Sequence, residues 1–188
     1  MGKIIYSALV SLDGFIEAPH GDLSWTGPDE ELHRYFNEQE KAVDIELNGR
    51  RMYENMAAFW PTADENPAAP DYVVEFSRIW KSKPKLVFSR TLKQVKWNSR
   101  LVRGNVAKIV DKLKEQPDQV MAIGGAELAS SFMRLGLIDE YQLYFHPVLL
   151  GGGKPLFRAL PRRIQLRLAE SRIFGSGVVL LRYLLAGQ

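Results

Sequence analysis

Several short stretches of the chain alternate apolar and polar positions or are rich in β-branched and aromatic residues, which is typical of β-strands with a buried face. Between them, apolar residues recur three and four positions apart, which predicts helices. Strands are predicted over residues 3–10, 43–47, 85–89, 120–123, 139–148, 163–173 and 178–185, and helices over residues 28–36, 48–56, 71–81, 105–115 and 126–135. Loops are predicted over residues 59–72 and 149–157, and one or two short strands around Trp97 over residues 94–102.

The order of these elements indicates a fold class. Strands alternate with helices through most of the chain, and the last two strands are joined by the glycine-rich turn at residues 175–177. Alternating strands and helices form mainly parallel sheets, whereas a short turn joins antiparallel strands. We therefore expect one α/β domain over residues 1–188, with a mostly parallel central sheet and an antiparallel C-terminal hairpin.

A glycine pair connects one predicted strand to the helix that follows it. The strand runs directly into Gly124 and Gly125, and the helix starts at Ala126. Glycine lacks the Cβ atom that would keep a ligand away from the backbone. The free N–H groups and the positive dipole end of a helix attract anions. A glycine pair is equally typical of a plain turn between strand and helix, and this pattern alone leaves both interpretations open.

Two further predicted strands end in groups that suit phosphate. Gly49, Arg50 and Arg51 follow the second strand, and Ser89 and Arg90 lie at the end of the third. Ligands of open α/β sheets bind beyond the carboxyl ends of the strands, and arginine, hydroxyl and backbone N–H groups all bind phosphate. A single arginine of this kind is more often a solvated surface residue. The combination of three such strand ends predicts a site for a small anionic ligand.

Composition excludes several other classes of function. The 188 residues carry a formal net charge of +3 and no cysteine, so disulfides, thiolate metal sites and cysteine nucleophiles are excluded. No apolar run is long enough to span a bilayer, and no nucleic-acid-binding module can be recognised. The three histidines lack the spacing of a metal site. We therefore expect a cytoplasmic protein that acts on a small molecule, without metal, membrane or nucleic acid.

Five segments together resemble a known family. They are SLDGFI, LNGRRMYENMAAFWP, KLVFSRTL, AIGGAELASSFMRLGLIDEYQLYFHPVLLGGGKPLF and the closing hairpin, and they span nearly the whole chain. In this order they resemble the dihydrofolate reductase-like superfamily, in the branch of the riboflavin-biosynthesis reductase (the RibD C-terminal domain). The resemblance implies a three-layer fold and an NADPH-dependent reductase that works by hydride transfer.

The resemblance also implies where NADPH binds. It places the backbone of Ala8 beside the nicotinamide amide and Ser89 with Arg90 at the adenosine 2′-phosphate, and it implies a cis peptide within the glycine pair. The family usually has threonine at the position of Met52, so this chain lacks a hydroxyl group at the phosphate site. The implied cofactor-binding residues are Ala8, Gly49, Arg50, Arg51, Met52, Ser89, Arg90, Gly124, Gly125, Ala126, Glu127 and Leu128.

On the substrate side, the assignments are less specific. The segment HGDLSWTGPDEEL is similar to the one before the substrate helix of folate reductases, where a carboxylate lies in the pterin pocket. Glu30 or Glu31 lies nearest that position and is the candidate catalytic acid. Alternatively, both are acids at the start of a helix that interact with its dipole. Asp13, Trp25 and Trp60 are expected to line the substrate pocket.

Three functions remain open at this level. The leading one is a 5-amino-6-(5-phosphoribosylamino)uracil reductase of the riboflavin type, and the others are a dihydrofolate or pteridine reductase and a non-catalytic nucleotide-binding relative. We also expect a homodimer, because the C-terminal strands present an edge and apolar faces that need covering and because relatives in this branch commonly pair.

Overall fold

The computed structural model describes residues 1–187, and Gln188 lies outside the described residues. The strands are β1 (Lys3–Ser11), β2 (Phe15–Glu17), β3 (Ile45–Gly49), β4 (Lys85–Phe88), β5 (Ser99–Val102), β6 (Val120–Gly124), β7 (Glu140–His146), β8 (Lys154–Pro155), β9 (Leu166–Ile173) and β10 (Val179–Leu185). The α-helices are α1 (Glu30–Lys41), α2 (Arg50–Phe59), α3 (Asp71–Ser82), α4 (Val106–Lys114) and α5 (Ala126–Leu135), and 3₁₀ turns lie at Pro19–Gly21, Ser24–Thr26 and Trp60–Glu65.

An eight-stranded sheet organises the fold, in the order β5-β4-β3-β6-β1-β7-β10-β9. Neighbouring strands from β5 to β7 are parallel. Strand β10 is antiparallel to both β7 and β9. The mostly parallel sheet with an antiparallel C-terminal strand pair is therefore confirmed. Strands β2 and β8 form a separate antiparallel pair beside the main sheet.

Helices cover both faces of the sheet, because alternate residues of each strand point to opposite sides. The larger core lies on one face, where Ile4 and Tyr6 of β1 pack in one cluster with Val110 of α4 and Phe132 of α5. On the other face, Leu32 of α1 packs in a second cluster with residues from the C-terminal strands. This is the three-layer arrangement expected from the sequence. No described helix is both long and apolar enough to cross a membrane.

Four local expectations were wrong or incomplete. Residues 59–72 hold a 3₁₀ turn rather than only a loop, because Pro61 is buried and the backbone of Trp60 accepts a hydrogen bond from Ser77. The predicted loop 149–157 contains β8, which pairs with β2. Trp97 lies in a turn before the single strand β5 and has a φ of 61°. The sequence also suggests Asp71 as the cap of the helix predicted over residues 71–81, whereas Asp71 is the first residue of α3.

Candidate functional site

The three predicted phosphate-binding strand ends lie side by side. Strands β4, β3 and β6 are neighbours in the sheet and run in the same direction. In their register Gly49 pairs with Phe88, and Asn48 pairs with Gly124. The turns that follow these strands therefore meet at one edge of the sheet, as the sequence predicted. This edge is the carboxyl edge, where ligands of open α/β sheets bind.

Strand β1 extends past its neighbour β6 and leaves a notch in the sheet. It pairs with β6 from Lys3 to Tyr6 but with β7 from Ile5 to Ser11. Beyond Tyr6, β1 thus continues next to the turn where β6 ends. Ala8 lies in this section, and the preceding residue Ser7 is exposed although it belongs to a central strand. The notch makes backbone groups of β1 available to a ligand beside the glycine pair.

Two helices begin at this edge without a capping side chain. Gly49 is the N-cap of α2 and Gly125 is the N-cap of α5, and within residues 1–187 no side-chain hydrogen bond caps either helix. A Cβ atom added to Gly125 would lie 4.0 Å from the backbone nitrogen of Gly49, so the two helix starts are close together. Their unpaired N–H groups and dipoles favour an anion between them.

The glycines at this turn are required by the space around them. A Cβ atom on Gly124 would lie 2.5 Å from Oδ1 of Asn48 and 2.9 Å from Cγ of Met52. Gly125 adopts a φ of 97°, which L-residues with a side chain rarely adopt. The expected cis peptide between the two glycines is wrong: the described chain contains no cis peptide bond. The positive φ of Gly125 turns the chain from β6 into α5 instead.

Basic side chains surround the helix starts. Arg50 and Arg51 begin α2 and are half-exposed; Arg50 lies 3.8 Å from Glu54, and Arg51 lies 3.4 Å from Glu17 of β2. Glu127, in the first turn of α5, pairs with Arg158 at 3.2 Å. These ion pairs are exposed and therefore weak, so a phosphate could replace the carboxylate partner of an arginine.

The third strand end supplies a turn and a cation. The Oγ atom of Ser89 accepts hydrogen bonds from the N–H groups of Thr91 and Leu92, at 3.2 and 3.0 Å. This fixes the turn and leaves the neighbouring Arg90 exposed at the same edge. The arginine can therefore interact with a negatively charged group of a ligand. Leu128 of α5 packs near Gly49, 3.5 Å from the Cβ position of that glycine.

The candidate catalytic acids lie elsewhere. Glu30 is exposed and accepts a hydrogen bond from Arg34 at 2.9 Å. Glu31 accepts a hydrogen bond from the backbone of Gly175 at 2.8 Å and lies 3.5 Å from Arg172, so it holds α1 against the C-terminal hairpin. Neither carboxylate occupies the buried position that a folate-type proton donor requires. Their role as catalytic acids stays a prediction.

The three predicted substrate-pocket residues are found in separate structural surroundings. Asp13 accepts hydrogen bonds from the backbones of Leu150 and Gly151, at 3.1 and 2.7 Å, and ties down the glycine-rich loop. Hydrogen bonding, first of all from a side chain and then from these backbone groups, lowers the pKa of its carboxyl group. Trp25 packs edge-on against His146 at the end of β7, with ring centroids 5.3 Å apart. Asp13 and Trp25 are thus near the carboxyl edge of β1 and β7.

Trp60 belongs to a different cluster. Its ring lies 5.9 Å from that of His33 in α1 and 4.2 Å from that of Phe76 in α3. Burial lowers the pKa of His33, which is held by a hydrogen bond to Asn37. The aromatic cluster packs α1 against α3, and this packing accounts for Trp60 without a ligand.

A buried group of charged residues next to β3 was not anticipated. Lys83 donates to the backbone carbonyls of Glu40 and Val43, at the end of α1. Lys85 donates to the carbonyls of Trp80 and Lys83, at the end of α3. Each ammonium group thus stabilises the negative end of a helix dipole. Charge periodicity could not reveal this, because Lys83 lies in a polar stretch between predicted elements and Lys85 begins the strand predicted over residues 85–89.

Two carboxyl groups complete this buried group. Burial, and then the charge of Glu46, raises the pKa of Glu40 to about 8. Burial also raises the pKa of Glu46, although the charge of Lys85 opposes the shift. Burial lowers the pKa of Lys85 to about 8. Burial thus favours the protonated form of both carboxyl groups, and the neighbouring charge of Glu46 adds to the rise at Glu40.

Comparisons with known proteins agree with this geometry. The family model described as the RibD C-terminal domain matches residues 2–180. The uncharacterized protein YyaP of Bacillus subtilis (strain 168) is 36% identical over 182 residues, which are 96% of this chain and 94% of YyaP.

Solved structures have the same fold. A candidate riboflavin biosynthesis protein of Shewanella sp. PV-4 aligns with a TM-score of 0.78 and 25% identity, over 97% of this chain and 98% of its own. The diaminohydroxyphosphoribosylaminopyrimidine deaminase/5-amino-6-(5-phosphoribosylamino)uracil reductase of Thermotoga maritima aligns with a TM-score of 0.68 and 14% identity, over 98% of this chain and 57% of its own. The family and the fold expected from the sequence motifs are confirmed.

Proposed function

Because the chain belongs to the RibD C-terminal domain family, we propose that it is a reductase that transfers a hydride from NADPH to a small heterocyclic substrate. The observation that carries the proposal is the meeting of two uncapped helix starts at a glycine turn, beside the open section of β1. An elongated anionic ligand with a planar end fits such an edge. Its phosphates match the helix starts, and its ring matches the notch.

The residues of the edge fit NADPH. The backbone N–H groups of Arg50 and Ala126 would hold the pyrophosphate, and exposed Arg90 would hold the adenosine 2′-phosphate. Because Gly124 and Gly125 carry no Cβ atoms, the space beside them would admit the nicotinamide. When bound, the cofactor supplies the hydride. The protein residues would orient both reactants at the notch.

A substrate of the pyrimidine type is favoured over a folate. The solved protein of Thermotoga maritima is named as a reductase of a phosphoribosylaminouracil, and it has the same fold. A folate-type reaction requires a buried carboxylate, whereas Glu30 is exposed and Glu31 accepts a hydrogen bond from the backbone of Gly175. We therefore propose 5-amino-6-(5-phosphoribosylamino)uracil or a related aminopyrimidine as the substrate.

Cofactor titration tests the first part of the proposal. Purified protein is titrated with NADPH and with NADH, and binding is followed by tryptophan fluorescence quenching. We expect tighter binding of NADPH, because Arg90 can pair with the 2′-phosphate; Arg90→Ala is expected to remove this preference. Failure to bind either nucleotide at millimolar concentration would refute the proposal.

Turnover tests the second part. NADPH oxidation is measured at 340 nm, the absorbance band of the reduced nicotinamide, with aminopyrimidine, dihydropterin and ketone substrates. Oxidation with an aminopyrimidine and none with dihydrofolate supports the proposed substrate class. NADPH binding without oxidation of any substrate identifies a non-catalytic relative, the alternative motivated by Met52 at the phosphate turn.

A further inference from the structure

A buried amide group lies directly against the glycine turn. Asn48, the last residue before Gly49, is 3% exposed and pairs with Gly124 across β3 and β6. Its Oδ1 is the heavy atom nearest to the Cβ position of Gly124, at 2.5 Å. A side chain at position 124 would therefore collide with the amide oxygen, and the glycine leaves room for it.

A neighbouring carboxylate fixes the orientation of this amide. Nδ2 of Asn48 donates to Oε2 of Glu46 at 2.6 Å, and Glu46 is itself 7% exposed. In this hydrogen bond Glu46 is the acceptor, and the charge of the nearby Lys85 favours the ionised form of Glu46. The amide therefore presents its nitrogen to Glu46. Oδ1 then points away from Glu46, toward the end of β6.

The amide oxygen is left available. Within the described part of the chain, Asn48 makes a hydrogen bond through Nδ2 and none through Oδ1, and Oδ1 is not among the fully buried atoms without a partner, so it keeps contact with solvent. A polar atom in such a position normally has a partner, from the protein, from water or from a ligand. An unpaired acceptor held rigidly beside two helix starts is suited to a ligand that brings an N–H group to this edge.

We propose that Asn48 is a specificity-determining residue, whose Oδ1 accepts a hydrogen bond from an amide or ring N–H of the ligand bound at the Gly124 turn. Glu46 is a positioning residue that acts through Asn48. The inference rests on the proposed reductase function. The N–H group can belong to the nicotinamide carboxamide of the cofactor or to the pyrimidine substrate, since both present one.

The test compares variants of two buried asparagines. Asn48→Leu keeps the number and branching of the side-chain heavy atoms and removes the hydrogen bonds. Asn37→Leu is the matched control, because Asn37 is fully buried and its Nδ2 donates to Glu75 at 2.7 Å, away from the glycine turn. Both variants are expected to melt at lower temperature. Only Asn48→Leu is expected to weaken ligand binding, by about five- to tenfold in Kd for NADPH or in KM for the substrate.

Two variants test the positioning role of Glu46. Glu46→Gln still offers an acceptor to Asn48 and is expected to bind like the wild type, whereas Glu46→Met is expected to reproduce the loss seen with Asn48→Leu. If Glu46 only supported folding, Glu46→Gln would not be expected to retain the ligand binding that Glu46→Met loses. Equal weakening by both Glu46 variants would remove the positioning role.

The reduced 3-acetylpyridine analogue of NADPH, which has a methyl group in place of the amide nitrogen, identifies the source of the N–H. If Asn48 binds the cofactor, the wild type prefers NADPH to the analogue and Asn48→Leu does not. If Asn48 binds the substrate, that preference persists in Asn48→Leu while KM for the substrate rises. Wild-type binding of NADPH with no change in Kd or KM for Asn48→Leu overturns this inference alone. Absence of NADPH binding by the wild type overturns the proposed function as well.

Discussion

Replacement of Glu40 by glutamine is expected to change how the stability of the protein depends on pH. The Glu40 carboxyl group is buried, and its Oε1 has no hydrogen-bond partner in the described chain. Its pKa rises from 4.5 to about 8, because of burial first and of the Glu46 charge second. Between these two pH values the folded chain holds a proton that the unfolded chain has released. This stability contribution is therefore complete below pH 4.5 and is lost as the pH rises to 8.

The size of the effect follows from the same shift. A pKa difference of one corresponds to about 1.36 kcal/mol, so the rise from 4.5 to about 8 sets an upper limit of about 5 kcal/mol on the free energy of unfolding lost by pH 8. Burial lowers the pKa of Lys85 from 10.5 to about 8. Its contribution has the opposite slope, and stability is regained above pH 8. The buried group is therefore expected to be least stable near pH 8.

Urea unfolding followed by tryptophan fluorescence at pH 5, 6.5 and 8 measures this dependence. Glu40→Gln keeps a neutral side chain of the same size and removes the titrating proton. We expect the variant to be more stable than the wild type at pH 8 by about 1–3 kcal/mol, and to lose less stability between pH 5 and 8. Glu38→Gln, on the same helix but 67% exposed, is the control. Parallel pH profiles for Glu40→Gln and the wild type would refute the reasoning.

Two further predictions concern the glycine turn and the C-terminal edge. Gly124→Ala places a Cβ atom 2.5 Å from Asn48 Oδ1, so we expect a loss of about 1–3 kcal/mol in the free energy of unfolding and at least about tenfold weaker NADPH binding. Gly152→Ala, where no described atom lies within 4 Å, should match the wild type, and equal effects would contradict the steric argument. We also propose a homodimer through β9, where Ile173 is 76% exposed. Sedimentation should show a dimer that Ile173→Glu weakens and the control Leu149→Glu does not; a wild-type monomer at micromolar concentration would contradict it.

The features that local sequence determines were predicted well. The glycine pair and the runs of β-branched residues identified β6, β4 and the turns after them, because strand periodicity and glycine content are properties of neighbouring residues. That Gly49 and Gly124 lie side by side depends on strand order, which local patterns do not contain; the prediction took it from the general rule that ligands bind beyond the carboxyl ends of the strands of open α/β sheets.

The buried charges were missed for a physical reason. In the segment IEL, Glu46 alternates with apolar residues as a solvent-facing side chain would, yet it is buried beside Glu40 at the end of α1. Lys83 and Lys85 similarly follow a polar pattern, although both bind the carbonyl ends of helices. Sequence periodicity detects the side chains that alternate but not the element that covers them. Only the fold, which brings the end of α1 and the two lysines close to Glu46, reveals that these charges are internal.

The notch left by β1 has a consequence for how this chain can change. Backbone groups line it, and a backbone group offers the same donor or acceptor whichever side chain its residue carries. A ligand bound there in effect takes the place of a missing piece of strand. Substitutions of side chains around the notch can therefore change which other reactant fits, while the backbone groups still bind the first ligand. A scaffold built in this way can keep one ligand while its partner in the reaction varies.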